Sequence, residues 1–209
     1  MMTLYRDGVL GVLFTAALVG CGGGSGVGAG GRAEGKLGTA AYVVVNAGDL
    51  QRSDALLKGS GSVAFKDPIG VISSKKDYVL SFSLDDGGSL ALVAHGDEHL
   101  QNGIEVTLSR AAGTLTATLS SGGKSAAPKV LGGVNAATAM TINVDVHNDE
   151  SPAHILIWSG SDFAEDKALL NSEEDGATPG QGRATYWGLL LTKASVTAAS
   201  VIEPNFFEK

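Results

Sequence analysis

Apolar and polar residues alternate through most of the second half of the chain, and this period of two is the signature of strands with one buried face. In Tyr78–Leu84, Tyr78, Leu80, Phe82 and Leu84 alternate with Val79, Ser81 and Ser83. Asp85-Asp86-Gly87-Gly88 follows and predicts a hairpin turn, because Asp-Gly and Gly-Gly supply positive φ at little cost. Ser89–His95 is then expected as the return strand. Ile104, Val106 and Leu108 form the inward set of the next run, and Leu115, Ala117 and Leu119 that of the one after, with a tight link at Ala111–Gly113. These four runs predict a meander. The strongest alternation sets Ile142, Val144 and Val146 against Asn143, Asp145 and His147, and His154–Trp158 follows at hairpin distance. Tyr186–Thr192 and Ser195–Glu203 read as two closing strands, Ala41–Asn46 and Gly61–Phe65 as two early ones, and Leu50–Leu57 as a short helix or a connection.

On the order of eleven strand candidates is too many for a small barrel and suits two packed sheets. The expected fold is therefore all-β, a two-sheet antiparallel sandwich. One short helix is expected over 162–171, where Asp162 can cap, Glu165 completes a capping box and Leu169-Leu170 gives an apolar side.

The first forty residues follow a different pattern. Arg6, an apolar run from Val9 to Val19 and the small Gly20 make an export signal. The run is shorter than the about 20 apolar residues a membrane span needs. Nine of the twenty residues from Gly22 to Ala41 are glycine, the composition of a flexible tether. The predicted organisation is a signal peptide over 1–20, a modified cysteine and tether over 21–40, and the sandwich over 41–209. Gly26–Gly31 matches the dinucleotide fingerprint in form, but no strand precedes it and no helical pattern follows.

Leu18-Val19-Gly20-Cys21 contains the chain's single cysteine. It resembles the lipobox of bacterial lipoproteins. The resemblance implies diacylglycerol on the Cys21 thiol, cleavage before it, and residence at a bacterial membrane surface; Gly22 is compatible with the outer membrane in a diderm organism. Each buried methylene contributes about 0.8 kcal/mol, so two or three acyl chains anchor stably. One cysteine also rules out an internal disulfide.

The order of the strands in 78–96, 103–120 and 140–158 resembles the concanavalin-like jelly rolls of legume lectins, laminin-G modules and glycan-active domains. That resemblance implies a carbohydrate-binding fold.

Charge and chemistry narrow the picture further. A net charge of −7, with Lys75-Lys76 the only adjacent basic pair, excludes nucleic acid as a partner. No G-x-S-x-G, P-loop or H-E-x-x-H motif occurs. The glycosidases of this fold carry E-x-D-x-x-E on one strand; the best register here places Asn143, Asp145 and Asn148, with amides at both working positions. A non-catalytic module is expected, with an unfamiliar hydrolase as an alternative.

For glycan binding, Trp158, Trp187 and Tyr186 are candidate stacking platforms, with Asn143, Asp145 and His147 as the polar rim. Against this, burial preferences more often place a strand-end tryptophan of a sandwich in the core. Glu173, Glu174 and Asp175 are candidate calcium ligands in a flexible loop; acidic loops that only keep the protein soluble remain the competing reading. His95 and His99 have a metal-like spacing but fall in a loop, and His147 and His154 can meet across a hairpin. No other cofactor is expected. The expected partners are a membrane, reached through the lipid, and a glycan or envelope component, or alternatively envelope proteins engaged without a small ligand.

Overall fold

The computed structural model describes residues 32–66, 70, 72, 74–160 and 163–202. The predicted signal peptide, Cys21 and the first part of the tether lie outside the described residues. The tether ends earlier than the sequence suggests. Glu34–Leu37 is strand β1, paired with β2 (Ala40–Asn46), and Leu37 is buried in the core.

The strands that come next are β3 (Gln51–Ser53), β4 (Leu56–Lys66), β5 (Lys75–Gly96), β6 (Ile104–Ala111), β7 (Thr114–Ser121), β8 (Lys124–Ser125) and β9 (Lys129–Val130). The last are β10 (Met140–His147), β11 (His154–Ser159), β12 (Leu170–Asn171) and β13 (Tyr186–Ile202). Every pairing among them is antiparallel. Leu50–Leu57 contains no helix; it holds the β3–β4 hairpin.

Three long strands carry the architecture. The first half of β5 pairs with β10 and its second half with β6. β13 follows β5 through both halves and is flanked by β4 on its other side. The hydrogen-bonded network thus bends into two sheets. One runs through β13, β5, β10, β11 and β12; the other runs through β2, β4, β13, β5, β6 and β7. Apolar faces from both halves meet in one core containing Leu57, Leu80, Phe82, Val144 and Ile157 together with Val63, Leu92, Val106, Leu119 and Leu189.

The bend corrects the expected hairpin at Asp85–Gly88. Tyr78–Leu84 and Ser89–His95 do not pair with each other; they are successive parts of β5. Four residues, Asp85–Gly88, bulge opposite Lys193 alone, between the pairs Leu84↔Ala194 and Ser89↔Thr192. Gly87 has φ +70 and Lys193 has φ +48. A Cβ on Gly88 would stand 2.6 Å from the Lys193 carbonyl oxygen, so the crossing strand leaves room only for glycine. The two closing strands read from the sequence are likewise one strand, β13, bent at the same corner.

The β6–β7 pair turns where expected, through Ala112 and Gly113, both at positive φ. The helix predicted over 162–171 does not form; its proposed cap, Asp162, lies outside the described residues. The described part holds one 3₁₀ turn, Glu165–Lys167. The residues after it are captured by pairing at the sheet edge: Leu169 N–H donates to the Ile157 carbonyl (2.7 Å), and Leu170 pairs with Ile157 in β12.

Candidate functional site

The predicted rim residues share one face of β10, as the alternation requires. Ile142, Val144 and Val146 face the core, and Asn143, Asp145 and His147 point the other way. In the β10–β11 ladder Asn143 lies opposite Trp158, Asp145 opposite Leu156, and His147 opposite His154. Trp158 therefore does share the rim's face, but it is only 2% exposed. Phe163 packs edge-on against its ring at 5.8 Å, and its indole N–H donates to the Ala164 carbonyl (3.1 Å). Trp187 lies inside the sandwich, 1% exposed and stacked on Phe65 at 4.2 Å, with Tyr78 beside it. Neither tryptophan offers a platform for a sugar. Tyr186 is half-buried. Asn143 uses its amide to hold the Gly160 carbonyl (2.9 Å).

Asp145 and His147 belong to a polar chain. Asp145 is buried, and its Oδ2 lies 2.6 Å from His147 Nε2. His147 Nδ1 lies 3.0 Å from Glu150 Oε1, and His154 Nε2 lies 3.0 Å from Asn171 Oδ1. Burial, then the charge of Asp145 and a hydrogen bond to it, push the Asp77 carboxyl up to about 7. Burial pulls the His147 imidazolium down, but its hydrogen bond to Asp145, the Asp145 charge and Glu150 outweigh this and raise its pKa. One donor atom each from His147, Glu150 and His154 lie within 4.8 Å of one another.

The other sequence candidates do not converge. Glu173, Glu174 and Asp175 sit in an exposed turn. The Asp175 carboxylate is taken by the Lys129 ammonium and the Asn171 N–H, and among the described residues the three do not form a cluster of metal donors. His95 is buried at the end of β5, whereas His99 is exposed against Arg32.

A cleft of about 1230 Å³ opens beside the end of this polar chain. Its walls come from the β7–β8 turn, the loop joining β10 to β11, and the segment 176–183. Hydroxyls of Ser125 and Thr178, amides of Asn102 and Gln181, and the cations Lys124 and Arg183 line it. Among the described lining residues there is neither a carboxylate nor an aromatic ring.

Buried Asn148 fixes the cleft wall. Its amide N–H groups donate to the carbonyls of Ile72 (2.7 Å) and Gly182 (3.1 Å), and its Oδ1 accepts the Gly182 N–H (2.8 Å). Gln181 Nε2 donates to the Asn148 carbonyl (3.0 Å). At the other side Gly180 N–H donates to Ser121 Oγ (2.6 Å) and Ala153 N–H to the Pro179 carbonyl (2.9 Å). The sequence marks Asn148 only as an amide in a carboxylate position and gives no sign of the cleft.

The fold defines the class: an all-β, two-sheet antiparallel sandwich of jelly-roll type. No protein-family model matches the chain, and no curated protein matches it. Among solved structures it is similar to a carbohydrate-binding module, CBM66, from Bacillus subtilis, at 12% identity over 77% of this chain and 94% of that one, with a TM-score of 0.48. It is also similar to the carbohydrate recognition domain of Emp46p in its potassium-bound form, at 9% identity over 79% of this chain and 89% of that one, TM-score 0.49. A legume lectin-like domain from Entamoeba histolytica is similar at 8% identity over 78% and 89%, TM-score 0.43.

Proposed function

We propose that the chain is a bacterial surface lipoprotein, anchored through Cys21, whose sandwich is a non-catalytic binding module for a glycan or another envelope component. The ligand site of this module is the polar cleft. The observation that carries the reading is the cleft's size and lining. Ligand pockets typically span roughly 300–1,000 Å³, and a cleft of about 1230 Å³ walled by hydroxyls, amides and two cations suits a hydroxyl-rich chain of several units. Recognition is then by hydrogen bonding, since stacking on Trp158 or Trp187 is closed by their burial. The two cations, with no carboxylate among the described lining residues, favour sugars that carry acidic groups.

A second reading, engagement of envelope proteins without a small ligand, is favoured by the absence of an aromatic ring among the described cleft residues. A glycan array probed with residues 32–209 separates the two: selective binding is expected, and a blank array moves the function to protein partners.

Support for the anchor is the order of apolar run, Gly20 and sole cysteine. Intact-mass measurement of the native protein is expected to show residues 1–20 removed and acyl chains on Cys21, and Cys21→Ser is expected to leave the membrane fraction. An unmodified thiol still joined to residues 1–20 removes the anchor from the account.

A further inference from the structure

We propose that His147, Glu150 and His154 form a binding site for one zinc-class divalent cation on the face of the β10–β11 hairpin that points away from the core. The strand register builds it. His147 and His154 are directly opposed in the ladder, their rings 5.2 Å apart and at 88° to each other. The loop between them brings Glu150 Oε1 to 3.0 Å from His147 Nδ1. All three residues thus offer a donor atom within 4.8 Å of the other two. A cation seated there takes the place of the hydrogen now shared by His147 Nδ1 and Glu150 Oε1.

The outer contacts are what distinguish this cluster from a surface pair of histidines. A ligating imidazole characteristically gives its second nitrogen to a carboxylate or carbonyl oxygen, which fixes ring orientation and tautomer. His147 gives Nε2 to Asp145, which is 2% exposed, and His154 gives Nε2 to the amide oxygen of Asn171, which is 4% exposed. The nitrogen left on each ring is Nδ1. Asn171 Oδ1 is itself held by the Glu173 N–H (3.1 Å). Two imidazoles and one carboxylate, with an open position for water, match zinc rather than calcium or magnesium, which prefer oxygen alone.

The same loop meets the cleft: Ser151 and Pro152, which join Glu150 to His154, are part of its lining. A bound cation ties that wall to the sheet. The proposal is independent of which ligand the cleft takes, because it is read by metal uptake alone.

The test is calorimetric titration of the full chain, freed of metal by a chelator, with zinc chloride. One equivalent is expected. Glu150 lies in the loop with its side chain 39% exposed, so Glu150→Gln leaves the ladder intact and is expected to weaken binding tenfold or more. Asp145→Asn is expected to weaken it about 10- to 100-fold through the His147 ring. His154→Gln, accepted if its melting curve matches the parent, is expected to abolish it. Cobalt in place of zinc gives a visible absorption band that Glu150→Gln shifts. No uptake by the parent, or parental affinity in Glu150→Gln as exposed His99 alone would give, overturns the proposal.

Discussion

Replacing Asn148 with alanine is expected to destabilise the sandwich by about 3 kcal/mol or more and to abolish ligand binding in the cleft. The amide satisfies the carbonyls of Ile72 and Gly182 and the N–H of Gly182, all at a residue that is 1% exposed. Removing one partner of a buried hydrogen bond costs about 1–3 kcal/mol per stranded group, because no water replaces it. Asn148→Asp separates shape from donation: it keeps the acceptor for Gly182 but loses both donors and places a charge in the interior. It is expected to be at least as damaging as alanine. Urea denaturation followed by fluorescence checks both variants. A loss under about 1 kcal/mol contradicts the role assigned to Asn148.

His95 is expected to make one acid-sensitive contribution to stability. The residue is 1% exposed, neither ring nitrogen has a hydrogen-bond partner among the described residues, and burial, then the charge of Lys76, pull its pKa down to about 4. A histidine held neutral in the native state binds fewer protons than in the unfolded chain. Its contribution is therefore intact above about 6.5 and is lost as pH falls toward about 4. At about 1.4 kcal/mol for each tenfold difference in proton affinity between the two states, the loss is on the order of 3 kcal/mol. The raised Asp77 carboxyl acts in the opposite sense and over the same pH range, its stabilisation growing as pH falls from about 7, so the parent's net slope does not report His95 alone. His95→Asn, which cannot titrate and tolerates φ +52, isolates it. The parent is expected to lose about 2–3 kcal/mol relative to this variant between pH 7.5 and 4.5. Equal slopes contradict the assignment. The His95 carbonyl accepts the N–H groups of Arg183 and Ala184, so protonation is also expected to loosen the cleft wall.

The alternation of β6, β7 and β10 was legible because each strand's face is set by neighbours a few residues away in sequence. The bend in β5 was not. Asp85–Gly88 has the composition of a turn, and a bulged corner needs the same positive φ; only the facing Lys193, more than a hundred residues on, decides between them. The missing helix fails for a similar reason, since the free edge of β11 offers Leu169 and Leu170 better partners than their own segment does. Nothing in the local pattern of Lys75-Lys76 marks Lys76 as fully buried.

The candidate site was half legible. Period-two spacing put Asn143, Asp145 and His147 on one face, and hairpin distance brought His154 to His147. Trp158 failed as a platform because Phe163 and Ala164 cover it from a segment whose local pattern suggested a helix. The cleft was invisible because its walls come from three separated loops joined through Asn148, and no local signal marks an asparagine that pins a glycine 34 residues away.

Where the ligand sits tests the account most directly, by calorimetric titration of the best array glycan into residues 32–209 and two double variants. Lys124→Ala with Ser125→Ala, on the cleft wall, is expected to lose tenfold or more in affinity with an unchanged melting temperature. Asn143→Ala with Trp158→Phe, on the covered face of β10 and β11, is expected to bind as the parent does. Undiminished affinity in the first variant, or a loss confined to the second, contradicts the cleft as the binding site.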